Sequence, residues 1–537
     1  MSTSFGVKFV GPPLPVTERG RPTKIYVHKD GDTLIYGNGR TVVARSITDP
    51  NKIPVLYHQH AAKVTVARFS PNGNYVASAD ETGKVRVWAY THEDFLLKKE
   101  VSTLGNGVHD LDWDGEGKRI AVCGAGNRKV MAFTWDSGSA LGDMLGPDST
   151  AYCVAFKKQR PMRIITGTDG MRGYFYKGPP FKLLGNTSEH KNMITATRFT
   201  PDGEKFITVS SDKNTYIYDG KTAAPLGKLS FKKKVRHNAT IYGVDIGPDS
   251  TTVLTCSSDK TCKLWDLSTG NHVTTLRVGG AKPQIRDQQV ACALTAAGPL
   301  SLSLAGDINI FNPEEPDAPA RVIQGHQVTP LCMAVTADGT IFSGDQNGVI
   351  CRWSGGVATR VKGVRDPKDP SLVHKSYVTG LALHAGNLVS AGIDGTLNTI
   401  DLTTGTVTDS QNIEAAAVAI VTATGKGNVS LIATSAETLL SLVDGKIVSK
   451  LQLPGEPAAV AISNDATFAL VSIPRSRQLV FVDVAADGAL SVSGDLLTLP
   501  QPPYAVGISE DNKSFAVGEN TAVTVFDTAS RSRTLEG

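Results

Sequence analysis

No run of apolar residues in this chain approaches the ~20 that a helix needs to cross a bilayer. The start, Met1-Ser2-Thr3-Ser4-Phe5, carries no apolar signal core and is soon broken by Pro12, Pro13 and Pro15. These absences argue against a membrane span and a secretory leader. Without an export signal, the glycosylation-like triplets Asn186-Thr187-Ser188 and Asn238-Ala239-Thr240 read as chance. An excess of one charge is lacking too: 55 Lys and Arg stand against 51 Asp and Glu, a net charge of +4 over 537 residues. That balance offers no electrostatic ground for binding nucleic acid or an anionic membrane. The one dense basic run, Lys232, Lys233, Lys234 and Arg236, reads as a solvated loop rather than a phosphate-binding patch. Cysteine is sparse. The seven present, Cys123, Cys153, Cys256, Cys262, Cys292, Cys332 and Cys351, are odd in number and never form Cys-x-x-Cys. A disulfide framework or zinc site is therefore not expected, and buried free thiols in a reducing compartment are.

Nucleotide and hydrolase signatures are missing as well. Gly-x-x-x-x-Gly-Lys-Ser/Thr, His-Glu-x-x-His and Gly-x-Ser-x-Gly do not occur, and Gly124-Ala125-Gly126-Asn127-Arg128 opens no helix that could cradle a phosphate. What the chain does have is glycine, 53 residues spread along its whole length. With 40% hydrophobic and 20% charged residues the composition is globular, and glycine in this abundance points to the tight turns of an all-β fold. At this length, two domains or a repeat array are required.

A repeat is present. One unit begins at His60. An alternating segment, Val64 to Phe69, is followed by the turn Ser70-Pro71-Asn72-Gly73, a strand from Tyr75 to Ala79, the turn Asp80-Glu81-Thr82-Gly83 and a strand from Lys84 to Trp88. Period-two alternation predicts half-buried strands, and Pro-Asn-Gly and Asp-x-x-Gly supply the backbone angles of tight turns. Further units open at His190, with Asp212 and Tyr218; at His237, with Asp259 and Trp265; and at His326, with Asp345 and Trp353. Weaker copies end at Trp135, Tyr176, Phe311, Ile400, Leu442, Phe481 and Phe526, and the end positions recur every 39 to 47 residues. That is the period of four-stranded propeller blades. With an N-terminal copy from Lys24 to Ala44, twelve repeats are counted, more than one ring holds. The expected architecture is all-β, two WD-repeat β-propellers in tandem. The proline-rich stretch from Asn312 to Pro319 marks the division, with a seven-bladed ring over 1–315 and a second over 316–537 in which five repeats are recognisable.

The recurring histidines and aspartates could suggest catalysis or a metal. Their regular recurrence instead predicts scaffolding: in each blade a buried chain of His, Asp, a strand Ser or Thr and the closing Trp fixes one packing. The expected members are His60, Asp80, Ser78 and Trp88; His190 and Asp212; His237, Ser257, Asp259 and Trp265; and His326 and Asp345. No catalytic, cofactor or metal residue is expected. A propeller hydrolase would need a one-off cluster of acids and histidines at the axis, often around calcium, and the repeat accounts for every such residue noted.

Several strings go beyond a generic WD repeat. Gly178-Pro179-Pro180-Phe181-Lys182 with Glu189-His190, Ile285-Arg286-Asp287-Gln288-Gln289, Asp112-Trp113 through Lys118-Arg119-Ile120-Ala121, and Arg160 through Gly167 together resemble the actin-interacting protein 1 family over essentially the whole chain. The resemblance implies two seven-bladed rings, a non-enzymatic role in severing, capping and disassembling actin filaments together with cofilin, and a cytoplasmic, cortical-actin location. No cofactor and no nucleic acid or membrane partner are expected, and the chain is expected to be a monomer. The family's actin surface lies on blades three to five. By position it carries over to Asp169, Leu183 and Met193, with Glu189 and Lys191 as flanking rim charges. Leu183 and Met193 stand where the family can have aromatics, and Asn127 and Arg128 where it can have an acid. Asp169 also fits the repeat's own turn aspartate, and both roles remain open. Against the family's fourteen repeats the second ring is two blades short, which predicts exposed strand edges and a less stable C-terminal half, or pairing with another chain. A generic WD scaffold or adaptor is the alternative function.

Overall fold

The computed structural model describes residues 10–91, 94–229, 235–363, 372–425, 428–494 and 496–536. The basic run at Lys232, Lys233 and Lys234 lies outside them. Among the described residues, helix is confined to two single 3-10 turns, Ile285–Asp287 and Pro474–Ser476. The strands of the described residues form twelve sheets, ten of them four-stranded, each running in sequence order except that the short Leu497–Thr498 pairs back onto Gln478–Val484. In the second sheet the strands Val64–Phe69, Tyr75–Asp80 and Lys84–Ala89 reproduce the segments expected from alternation, and Leu97–Ser102 adds the outer edge. Gly73 and Gly83, the turn glycines, sit at φ 76° and 89°, angles open to glycine without a Cβ penalty.

Burial follows position in the blade. The outer strand Leu97–Ser102 alternates between half-buried and exposed, as a one-sided strand should. Middle strands such as Val429–Thr434 are buried at every residue, because neighbouring blades cover both faces. All seven cysteines are free, and all but the half-buried Cys332 are buried.

The chain divides into two compact units, Met1–Gln327 and Val328–Gly537. The sequence placed the division at 315/316. The proline-rich stretch is instead the loop between Ile308–Ile310 and Arg321–Ile323, which pair in the seventh sheet with Ile308 opposite Ile323. Proline and acid content mark any exposed loop, and only strand pairing distinguishes a loop within a blade from a linker between units.

The first unit holds seven sheets and its ring is closed. Thr23 N donates to Val290 O (3.1 Å), Ala296 N to Gly31 O (3.0 Å) and Arg321 Nη1 to Ile47 O (3.0 Å), tying the seventh sheet to the first. Tyr36, Val43, Leu254, Val290, Leu300 and Ile308 share one apolar cluster across the sixth, seventh and first sheets. Another cluster holds Tyr57, Trp88 and Trp113, with Tyr57 stacked on Trp88 at 4.4 Å. The second unit contains five sheets. Phe342 and Val378, Val389 and Ile432, Leu431 and Val471, and Phe481 and Phe515 join each sheet to the next. On its first inner strand, Pro330–Val335, Leu331, Met333 and Val335 are exposed.

Candidate functional site

The expected hydrogen-bonded chain forms. In the second sheet His60 Nδ1 lies 3.1 Å from Asp80 Oδ2 and its Nε2 2.7 Å from Ser78 Oγ, while Trp88 Nε1 donates to Ser78 Oγ at 3.2 Å. The proton inventory closes with a neutral ring: Trp88 N–H donates to the Ser78 oxygen, Ser78 O–H to His60 Nε2, and His60 Nδ1–H to the carboxylate. A second ring proton would leave Nε2–H facing a hydroxyl already accepting from Trp88. Burial pushes the His60 pKa down despite Asp80, and does the same at His237 against Asp259. At Asp80 burial works against the carboxylate, but bonds from Thr82 and His60 outweigh it and hold the pKa below the usual carboxylate range. At Asp212 the bonds from His190 and neighbouring backbone do likewise.

The sixth sheet corrects one member. His237 Nδ1 meets Asp259 Oδ2 at 2.9 Å, but its Nε2 meets Thr255 Oγ1, also at 2.9 Å, and Trp265 Nε1 donates to the same hydroxyl at 2.9 Å. Ser257 does not join the chain. Its Oγ donates to Ala239 O at 3.2 Å and accepts from Asp259 N at 3.1 Å. The histidine finds its hydroxyl 18 residues on in the second, fifth and sixth sheets. The turn aspartate instead comes 20 residues on in the second sheet and 22 in the other two. Counting back from the aspartate, as in the second sheet, selects Ser257; the strand register selects Thr255. In the fifth sheet Thr208 takes this place for His190 at 2.8 Å. His326 and Asp345 are both buried, and Trp353 Nε1 donates to Ser343 Oγ at 2.7 Å.

Three variants escaped the sequence. His374 repeats the His–Asp–hydroxyl part of the chain with Asp394 (3.0 Å) and Ser390 (2.9 Å), detectable from an Asp-Gly turn 20 residues after a histidine, with Ile400 in place of the closing aromatic. In the seventh sheet Gln289 stands in for histidine: Ser301 Oγ donates to its Oε1 at 2.5 Å and its Nε2 donates to Asp287 O at 2.6 Å. In the third sheet Phe133, opposite Ile120, fills the slot that Trp88 fills opposite Val76, and Trp135 lies two residues beyond.

A second network spans the axis of the first unit. Asp110, fully buried, accepts from Tyr26 Oη (2.6 Å), Lys24 Nζ (3.1 Å) and Val154 N (3.3 Å). Asp112 pairs with Arg68 and with Lys158, each at 2.7 Å, and accepts from Phe156 N at 2.8 Å. Arg68 and Arg198 lie over the Tyr26 ring at 4.0 and 5.1 Å. Arg198 reaches Asp245 at 3.9 Å, and Asp245 accepts from Leu294 N at 2.8 Å. All seven blades are thereby linked around a cavity of about 450 Å³. Burial opposes the charge on Asp110, but Lys24, Arg198 and Arg68 hold its pKa down; at Asp245 burial prevails and raises it. Each base here faces an acid, with Asp112 shared by Arg68 and Lys158, the pairing that buried charges require. Among the described residues no group of three or more His, Cys, Asp and Glu is arranged to hold a metal.

The rim residues separate into distinct settings. Asp169 is exposed in the turn between Arg163–Thr168 and Gly173–Lys177. Among the described residues nothing hydrogen-bonds its carboxylate, unlike Asp80 and Asp212, which accept from Thr82 N and Asn214 N. Two residues away, Gly167 packs against Ile194, so Asp169 and the half-buried Met193 flank the seam between the fourth and fifth sheets, with exposed Lys191 beside them. Glu189 is half-buried and accepts from Tyr218 Oη at 2.9 Å and Ser188 N at 3.0 Å; it holds the tyrosine that replaces tryptophan in its blade. Leu183 is 43% exposed. It lies four residues, about 13 Å of extended chain, from Thr187, the strand end opposite Gly173.

Comparison with known proteins agrees with this architecture. The family "WD domain, G-beta repeat" matches residues 52–89, 181–219 and 230–266. WD repeat-containing protein 1 of Xenopus tropicalis is 32% identical over 532 residues, 98% of this chain and 85% of that protein. Actin-interacting protein 1-2 of Arabidopsis thaliana is 35% identical over 542 residues, 97% of this chain and 85% of its own. Actin-interacting protein 1 of Drosophila melanogaster is 30% identical over 460 residues, 84% of this chain and 72% of that one. With sheets, buried chains and near-complete alignment in agreement, the chain belongs to the WD repeat-containing protein 1, or actin-interacting protein 1, family.

Proposed function

We propose that this chain binds actin filaments and acts with cofilin to sever, cap and disassemble them, as a rigid platform without catalysis. The observation that carries the reading is similarity over 97% of the chain to a protein named for interaction with actin. The seam between the fourth and fifth sheets supports a contact surface in the N-terminal ring. There Asp169 keeps an uncommitted carboxylate, Lys191 an exposed ammonium and Met193 apolar surface, while Leu183 adds exposed apolar surface farther out, on the outer strand of the fourth sheet. A few such contacts on a rigid frame dominate binding, and loops held by sheets suit them. Glu189 contributes by anchoring Tyr218. The chain works as a monomer in the cytoplasm at cortical actin, with no nucleic acid, membrane or cofactor involved.

The test is sedimentation of actin filaments with and without cofilin. Adding the chain leaves more actin in the supernatant only when cofilin is present; no cofilin-dependent change refutes the reading. Asp169→Ala lowers that activity without lowering Tm. Equal falls in both would return Asp169 to a turn-stabilising role.

A further inference from the structure

The sixth sheet carries a cavity of about 340 Å³ whose charge is unbalanced. Three cations from three segments line it. Lys263 lies on Thr261–Asp266 and Arg277 on Asn271–Arg277, and register puts Lys263 opposite Thr275 and Arg277 opposite Thr261. Arg236 comes from the segment that leads into His237. Among the described residues Asp259 is the one carboxylate in the lining, and both its oxygens are committed. Oδ2 faces His237 Nδ1 (2.9 Å) and Asn238 N (3.0 Å), and Oδ1 accepts from Thr261 N (3.1 Å) and Thr261 Oγ1 (2.7 Å).

Lys263 is the telling residue. It is 8% exposed, and its ammonium donates to Thr275 Oγ1 at 2.8 Å. Among the described residues it pairs with no carboxylate. Arg277 meets Asp317 at 3.3 Å, but these side chains are 56% and 90% exposed, a pairing that water and salt weaken. A buried ammonium with no carboxylate in contact is costly, and burial lowers the Lys263 pKa although the charge of Asp259 opposes it. Lys24, Arg68 and Arg198, by contrast, each reach a carboxylate.

The geometry points to a binding site for a phosphate monoester in this cavity, held by Lys263, Arg236 and Arg277. Guanidinium forks match phosphate oxygens in pairs, and a dianion offsets two surplus charges where a single carboxylate offsets one. Asn238 in the lining adds an amide that can donate to the anion. The site is independent of the actin reading, since it uses none of the residues at the seam between the fourth and fifth sheets.

Calorimetric titration of the full chain at low ionic strength tests it, with inorganic phosphate, O-phosphoserine and acetate as probes. Phosphate and phosphoserine bind saturably at one site, at least tenfold more tightly than acetate. Lys263→Met and Arg277→Gln each weaken them at least tenfold. Tighter binding of phosphoserine than of phosphate assigns the group to a phosphorylated side chain, and equal binding to a free phosphate. Lys263→Met leaves Tm unchanged or raised, since it removes an unpaired buried charge; Arg277, more than half exposed, keeps the test valid should that variant fold poorly. No saturable binding, equal affinity for acetate, or undiminished binding in both variants overturns the proposal.

Discussion

Replacing Thr255 with valine keeps the side-chain volume and deletes the hydroxyl on which His237 Nε2 and Trp265 Nε1 converge, each at 2.9 Å. Both groups are buried, so neither regains water. An orphaned buried polar group costs roughly 1–3 kcal/mol, and two together about 3 kcal/mol. Unfolding entropy near 2.1 cal/mol/K per residue gives roughly 0.7 kcal/mol/K over the 327 residues of the first unit. The Tm of that unit therefore falls by about 4 °C. Ser257→Ala loses one ordinary hydrogen bond to Ala239 O and the acceptor for Asp259 N, worth about 1 kcal/mol and 1–2 °C. Scanning calorimetry of the full chain at pH 7.5 reads both shifts in the first unit's transition. The double variant Thr255→Val with Trp265→Phe has one fewer orphan, so its loss is smaller than the sum of the single losses by about 1 kcal/mol. A Ser257→Ala shift at least as large as that of Thr255→Val, or strict additivity in the double variant, refutes the network.

Acid weakens the fold from about pH 6.5 downward. His60 and His237 have folded pKa values below the unfolded value, so their contribution is full above that value and is lost as pH falls. Asp80 and Asp212, also depressed, lose theirs at still lower pH, with Asp245 acting in the opposite sense. Denaturant midpoints measured from pH 8 to 4 check this; a flat profile between 7 and 5 contradicts it. Asp110→Asn leaves Lys24 without its buried counter-charge and destabilises the first unit by about 3–5 kcal/mol, measured by the same unfolding assay. A loss below about 1 kcal/mol would mean that water reaches the axis and screens these charges.

Much of the blade was legible because it is local. Strands Val64–Phe69 and Lys84–Ala89 follow from alternation over six residues, and their turns from Pro71-Asn72-Gly73 and Asp80 to Gly83. The partners of His60 lie within 20 residues, and recurrence exposed them. His374 was passed over although its partners are as close, because its blade closes on Ile400, opposite Leu388, where others place an aromatic. At the candidate contact surface, sequence proposed Asp169 and Met193 together, but could not see that Glu189 spends its carboxylate on Tyr218, 29 residues away.

By itself, then, the sequence determined twelve blade-length repeats, the His–Asp joinery and the absence of an enzyme signature, since turn chemistry and period-two burial are written within a few residues of where they act. Tertiary structure decided what depends on closing a ring. It set the division after residue 327 rather than in the proline-rich loop, the choice of Thr255 over Ser257, the axial charges around Asp110, and the unbalanced cations around Lys263. Those outcomes hang on which side chains face one another across strands and blades, often more than 40 residues apart, and spacing along the chain does not specify distance across a closed ring.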